Sequence, residues 1–366
     1  MTADLVSGFL GLGQPVARTT ALHAAARGRL ERTLLIHGPA AAGKEAFVDD
    51  LLALLFCTDV AEVRPCNACH ACRKARSRSH PDLVMGSPEL WRDERSTGES
   101  IVAAARRWLL GASGAPIAGE RRVVLIERAD RANEQTQNAL LKSLEEPGRR
   151  QMFILVADEP SRLLPTIRSR SQPLRIGAVA RDELIAWLMD RERLPNDQAL
   201  ALARISGGLS GTAIGYARHA DLLDWRRRVQ AELLALLRRG RADRFGSARE
   251  LVDEAARLAS APPAEVETED GDGPRASSAL QREGALRIVS VWLDLTRDLI
   301  VASAGRPELA AAGDLLPELP RLAPRIGPAP LAAFAAVLER VHAGLSENAA
   351  PRLAMEVAML EWPTVS

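Results

Sequence analysis

The sequence predicts an α/β domain built on a parallel sheet, followed by a purely helical region. Short apolar runs alternate with helical stretches up to residue 176. Such alternation implies parallel strands covered by helices on both faces. The loop Gly38-Pro39-Ala40-Ala41-Ala42-Gly43-Lys44 joins the first strand to the first helix of that pattern. Beyond Ile176 the strand-like runs stop and only helical spacing continues.

Thr33–His37 is the first expected strand, and an apolar helix runs from Lys44 to Phe56. Pro81–Met85 is expected as the second strand, Ile101–Leu110 as a helix, and Arg122–Ile126 as a buried third strand. Asn133–Glu145 has helical spacing and stops before Pro147, as the residue preceding a proline resists the helical conformation. Gln151–Ala157 and Gln172–Ile176 complete the strands. Asp182–Arg193, Asn196–Ile205 and Thr212–Arg218 read as short helices, with Gly207-Gly208-Leu209-Ser210-Gly211 between the last two. Longer helices follow at about 221–239, 242–260, 278–303, 329–346 and 350–361. Residues 262–277 are acidic and rich in Pro and Gly, and are expected to form a mobile loop.

A chain of 366 residues is long enough for two or three domains with cores of their own. Aromatic residues make up only 4%, which disfavours an aromatic-rich β protein or an RNA-stacking sheet. The formal net charge of +1 excludes attachment to nucleic acid by bulk charge. Lys44, Lys74 and Lys142 are the three lysines among 48 basic residues, a bias that reads as the mark of a GC-rich genome. No signal peptide and no apolar run of spanning length is evident, so the expected location is cytoplasmic with no membrane partner.

The loop 38–44 follows a strand and opens a helix, the context a phosphate-binding loop needs. Gly38 and Gly43 let backbone N–H groups curl around phosphates, and Lys44 reaches the terminal ones. The next position calls for Ser or Thr to hold Mg²⁺, but it is Glu45. Val123–Glu127 has the form of a Walker B strand, yet Arg128 stands where a glutamate would polarise water. A guanidinium cannot act as that base. Asp130, two residues further, is a possible helix cap. Asp158 follows the fourth strand, where a polar sensor group is usual, and the Gly208–Thr212 segment has no sensor arginine. These four departures together predict a scaffold that does not hydrolyse ATP and leave nucleotide binding open.

The four cysteines are spaced Cys57-x8-Cys66-x2-Cys69-x2-Cys72. In a reducing compartment this pattern reads as a structural zinc site, all four positions being thiolates with none left for water. Unpaired thiols and an iron–sulfur cluster are the alternatives. His70 and His80 lie nearby, but four sulfurs suffice. The basic run Arg73-Lys74-Ala75-Arg76-Ser77-Arg78 reads as a solvated helix face or as a contact with a partner or nucleic acid.

Asn138-Ala139-Leu140-Leu141-Lys142-Ser143-Leu144-Glu145-Glu146-Pro147 resembles a motif of bacterial clamp-loader subunits, as does Leu164-Pro165-Thr166-Ile167-Arg168-Ser169-Arg170-Ser171, where Ser171 replaces a cysteine. His80-Pro81-Asp82-Leu83 also resembles the stretch after that family's zinc module. The resemblance covers about residues 10–215. It implies an α/β P-loop AAA+ domain over 1–176 with the zinc module at 57–72 inserted. A small helical lid over 177–220 and an all-α collar over 221–366 would follow. The degraded nucleotide motifs resemble the family's delta-prime branch rather than its ATPase tau/gamma branch.

The family resemblance implies a hetero-pentamer with tau/gamma and delta subunits, acting on a sliding clamp and primed DNA as part of DNA polymerase III. It further implies that Arg170 is an arginine finger supplied in trans to a neighbour's ATP, with Ser169 supporting it. A guanidinium suits that role because it stays ionised and offers fixed donors. Lys142 stays open between a solvated lysine and a DNA or subunit contact. Two other readings remain: an active clamp-loader ATPase, and a zinc-containing DNA-binding regulator on an AAA+ fold.

Overall fold

The computed structural model describes residues 8–28, 30–260, 278–311, 318–347 and 349–364. The acidic segment 262–277 lies outside the described residues. The chain forms two compact units, Met1–Ile214 and Gly215–Ser366.

The first unit opens with α1 (Pro15–Ala26), whose proline at its first position loses no helical hydrogen bond. β1 (Thr33–His37) leads through the glycine loop into α2 (Lys44–Phe56). The cysteine-bearing insert carries α3 (His70–Arg76). Then come β2 (Leu83–Gly86), α4 (Pro88–Asp93), α5 (Ile101–Ala112), β3 (Arg122–Ile126), α6 (Glu134–Glu145), β4 (Gln151–Ala157), α7 (Pro165–Ser169) and β5 (Gln172–Arg175). Three helices follow: α8 (Arg181–Arg191), α9 (Asn196–Ile205) and α10 (Ser210–Arg218). The unit boundary falls inside α10.

The five strands pair in parallel in the order β2-β3-β4-β1-β5. The central strands are buried on both faces, which explains their unbroken apolar runs. One face packs Leu34, Ile36, Val123, Leu125, Met152 and Ile154 against α2 residues such as Phe47, Leu51 and Leu52. The other packs Leu35, Val124, Ile126 and Phe153 with residues of α5 and α6.

Several expected bounds need adjustment; among the helices, α5 runs on to Ala112, α8 ends at Arg191 and the helix expected over 221–239 ends at Ala235. The second strand begins at Leu83 rather than Pro81. Asp82 is instead fully buried, its carboxylate accepting backbone N–H groups of Ile117, Ala118 and Gly119. The fifth strand stops at Arg175, and the third short helix starts at Ser210 rather than Thr212.

The second unit, among its described residues, is helical: α11 (Ala220–Ala235), α12 (Arg241–Ser260), α13 (Ser278–Ser303), α14 (Leu319–Ile326), α15 (Pro328–Ser346) and α16 (Pro351–Glu361). Its core gathers Trp225, Leu233, Trp292, Phe334 and Trp362. The Phe334 and Trp362 rings are tilted at 56° with centroids 4.6 Å apart, and the Trp362 indole donates to the Leu233 carbonyl at 3.0 Å. Thus Trp225, Trp292 and Trp362 are core anchors, as expected of them, whereas Trp187 of α8, expected to be one too, is only half-buried. Among the described residues, no helix is long and apolar enough to cross a membrane.

Candidate functional site

Ligands of open parallel sheets sit beyond the carboxyl ends of the strands. Register places His37 of β1 opposite Ala157 of β4, so the glycine loop and Asp158 become neighbours. Gly38 N donates to the Ala157 carbonyl at 3.2 Å. Gly38 has φ 150°, and a Cβ there would lie 1.8 Å from the Ile176 carbonyl oxygen, so only glycine fits.

Lys44 is 7% exposed. Its ammonium donates to the carbonyls of Gly38 at 2.8 Å and Pro39 at 2.6 Å, and lies 2.6 Å from Asp158 Oδ1. Gly43 precedes it with φ 93°, and a Cβ there would meet the Ser210 hydroxyl at 2.6 Å. Ser210 Oγ donates to the Ala42 carbonyl at 3.2 Å, and Gly211 N donates to that of Ala41 at 2.8 Å. The start of α10 therefore packs directly on the loop. Glu45 is exposed in the first turn of α2.

At the end of β3, Glu127 accepts from Arg78 Nη1 at 2.6 Å, while Arg78 Nε reaches Asp49 of α2 at 2.8 Å. Those two carboxylates hold the Arg78 guanidinium above its ordinary value, although burial pulls the other way. Arg128 is exposed, with its Nη1 3.6 Å from Glu89. Asp130 caps the turn after β4, accepting from the N–H groups of Asp158 at 3.1 Å and Glu159 at 2.8 Å. Burial pushes its carboxyl up.

The ligand atoms of Cys57, Cys66, Cys69 and Cys72 all lie within 4.8 Å of one another. Tetrahedral zinc with ~2.3 Å bonds would set its sulfurs about 3.8 Å apart, and Cys66 Sγ and Cys72 Sγ are 4.0 Å apart. Backbone N–H groups point at sulfurs in sequence: Cys66 to Cys57 at 3.5 Å, Cys69 to Cys66 at 3.3 Å, and Cys72 to Cys69 at 3.3 Å. Asn67 makes the turn between the second and third ligands with φ 57°. Burial pushes the Cys57 and Cys72 thiols up. Burial also opposes ionisation at Cys69, but donors from Thr58 and Cys72 outweigh it and bring that thiol down to about 6. The set could hold one metal ion. His80 instead stacks on Phe56 with centroids 3.8 Å apart, and His70 is exposed.

The basic run is not a simple solvated face. Arg76 turns inward to Asp50 at 2.8 Å, as Arg78 does to Asp49 and Glu127. Asp50 is fully buried and also accepts from Leu10 N and Gly11 N, each at 2.8 Å. The insert is thereby tied to α2, to the N-terminal segment and to the end of β3. Neither arginine's role is signalled by local sequence.

Arg170 ends α7 on the surface, its side chain 41% exposed and its Nε 3.0 Å from Glu145 Oε1 of α6. Ser169 Oγ and Arg170 Nη1 both donate to the Thr166 carbonyl, at 3.1 and 3.2 Å. The two motifs that carry the family resemblance thus meet through Arg170 and Glu145. Lys142 is exposed on the same helix as Glu145.

Residues 13–180 match the family described as DNA polymerase III, delta subunit. The relatives are subunits of DNA polymerase III. The chain is 36% identical over 184 residues to subunit delta' of Pseudomonas aeruginosa, covering 49% of this chain and 53% of the relative. It is 30% identical over 193 residues to that of Escherichia coli, covering 51% and 54%. It is 28% identical over 371 residues to subunit gamma/tau of Mycobacterium bovis, covering 93% and 58%. The chain spans about half the length of the curated relatives it matches. The longer alignment thus goes to gamma/tau, whereas the higher identities go to delta'. Among solved structures, a DNA polymerase III gamma-subunit-related protein of Thermotoga maritima gives a TM-score of 0.40 at 14% identity, covering 93% of this chain and 98% of that one.

Proposed function

We propose that this chain is a non-catalytic clamp-loader subunit of the delta-prime kind, which helps a DNA polymerase III assembly place a sliding clamp on primed DNA. The observation that carries the reading is the paired state of its nucleotide motifs. Lys44 is bonded to its own loop and to Asp158, and Glu127 is held by Arg78. Arg128 stands where a water-polarising carboxylate would be needed, and its guanidinium supplies no base.

In this reading α8–α10 form the lid and α11–α16 the collar. The partners are tau/gamma ATPase subunits and a delta subunit in a hetero-pentamer within the cytoplasm. Arg170, exposed at the end of α7, reaches the ATP of a neighbouring subunit, with Ser169 fixing the turn that carries it. Its exposed partner Glu145 releases it at small cost, because surface ion pairs contribute little. The four cysteines hold structural zinc, which supplies a rigid tetrahedral crosslink and no chemistry of its own.

Reconstitution tests the reading. The purified chain, mixed with tau/gamma and delta subunits, should enter one complex and support clamp loading. Brisk ATP hydrolysis by the chain alone, abolished by Lys44→Ala, would instead favour the active-ATPase reading.

A further inference from the structure

We infer that Asp158 is a built-in anion that occupies the charge of Lys44 and so closes this chain's phosphate loop to nucleoside triphosphates. The inference deepens the proposed function by naming the residue that silences the site.

The backbone of the loop is still suited to phosphate. Ala41 and Gly43 have φ 57° and 93°, so successive N–H groups curl as in an anion-binding nest. Ala42 N is engaged with the Pro39 carbonyl, whereas among the described residues the N–H groups of Ala40, Ala41 and Gly43 meet no backbone acceptor. The backbone donors remain, but the positive charge no longer does. An ammonium has three donors, and those of Lys44 are matched by three oxygens at 2.6–2.8 Å. One of these oxygens is a carboxylate, so the pair presents no net charge to a phosphate.

Asp158 is also held in place. Its backbone N–H is tied to buried Asp130, and the preceding Ala157 carbonyl accepts from Gly38 at the start of the loop. An incoming triphosphate would have to break the Lys44 pair and then lie beside a carboxylate whose backbone is tethered next to the loop. The exposed Glu45 adds a second negative charge at the next position along α2. The cation end of the site shows the same treatment independently, since Glu127 is paired with Arg78 at 2.6 Å.

Calorimetric titration of the purified full chain with Mg²⁺-ATP, alongside thermal melts, tests the inference. Wild type should show no saturable binding at millimolar ATP. Asp158→Asn removes the charge with little change in size and should bind ATP at least about tenfold more tightly, as expected for removing one nearby like charge. Adding Lys44→Ala to Asp158→Asn should abolish the gain. Wild-type affinity within about twofold of Asp158→Asn would overturn the inference. So would a folded Asp158→Asn chain that binds no better than wild type. Asp158→Ser is the second variant if the first does not fold, and loss of folding in both would make Asp158 a structural residue and also overturn the inference. The titration uses the isolated chain, so its failure leaves the role of Arg170 standing, and failure of that role leaves the titration unaffected.

Discussion

Arg78 bridges Asp49 of α2 and Glu127 at the end of β3, at 2.8 and 2.6 Å. One guanidinium thus joins the cysteine-bearing insert to the acid at the end of β3. Arg78→Ala leaves two half-buried carboxylates without their counter-charge. The expected loss is about 1–2 kcal/mol in urea unfolding, with Arg78→Lys recovering only part because an ammonium lacks the planar fork. A double-mutant cycle with Glu127→Ala should return a coupling of about 1 kcal/mol, and additivity would remove the bridge from the account.

Asp50 has a larger structural burden. Its buried carboxylate accepts from Leu10, Gly11 and Arg76 together. Asp50→Ala is expected to destabilise the first unit by about 3 kcal/mol, because it strands a cation and two N–H donors. Asp50→Asn should be milder. Equal stability of wild type and Asp50→Ala by denaturant titration would contradict this assignment.

The cysteine cluster predicts one zinc per chain by elemental analysis. Chelation should lower the melting temperature of the first unit, because the metal crosslinks the loop after α2 to α3. Cys72→Ser should mimic chelation, since Cys72 is fully buried against α2. A metal-free protein with an unchanged melt would eliminate the ligand set.

Stability should also fall in acid. Burial opposes charge on Asp82, but three backbone N–H donors outweigh it and hold its carboxyl below the usual range. Burial holds His80 below the ordinary imidazole value. In both cases the unfolded chain binds the proton more readily than the folded one, so stability rises with pH. The His80 contribution is full above about pH 6.5 and is lost as pH falls below that value, and the Asp82 contribution is lost below about pH 4. Melts across this range should show the decline, and Asp82→Ala should flatten its lower part.

Much of this architecture is written in local pattern. β1, β3 and β4 fall where their apolar runs end, because both faces of each are buried. The cysteine cluster is legible because its ligands are close in sequence. The short helices α4, α7 and α14 are less visible, as each carries too few turns to establish a period. The pairings of Lys44 and Glu127 are not local at all. Lys44 meets Asp158 only because β1 and β4 are adjacent in register. Arg78 turns inward through its own positive φ of 54°, which nothing in an arginine-rich run announces.

The central claim is that a chain with a silenced nucleotide site lends Arg170 to a neighbour. DNA-stimulated ATP hydrolysis by the complex reconstituted with tau/gamma and delta subunits, comparing wild type with Arg170→Ala, tests it most directly. The account predicts normal assembly and an unchanged melt, since Arg170 is exposed. It also predicts hydrolysis at the adjoining site slowed by about 10³-fold or more, the scale of a lost arginine finger. Equal rates from fully assembled wild-type and Arg170→Ala complexes would contradict it.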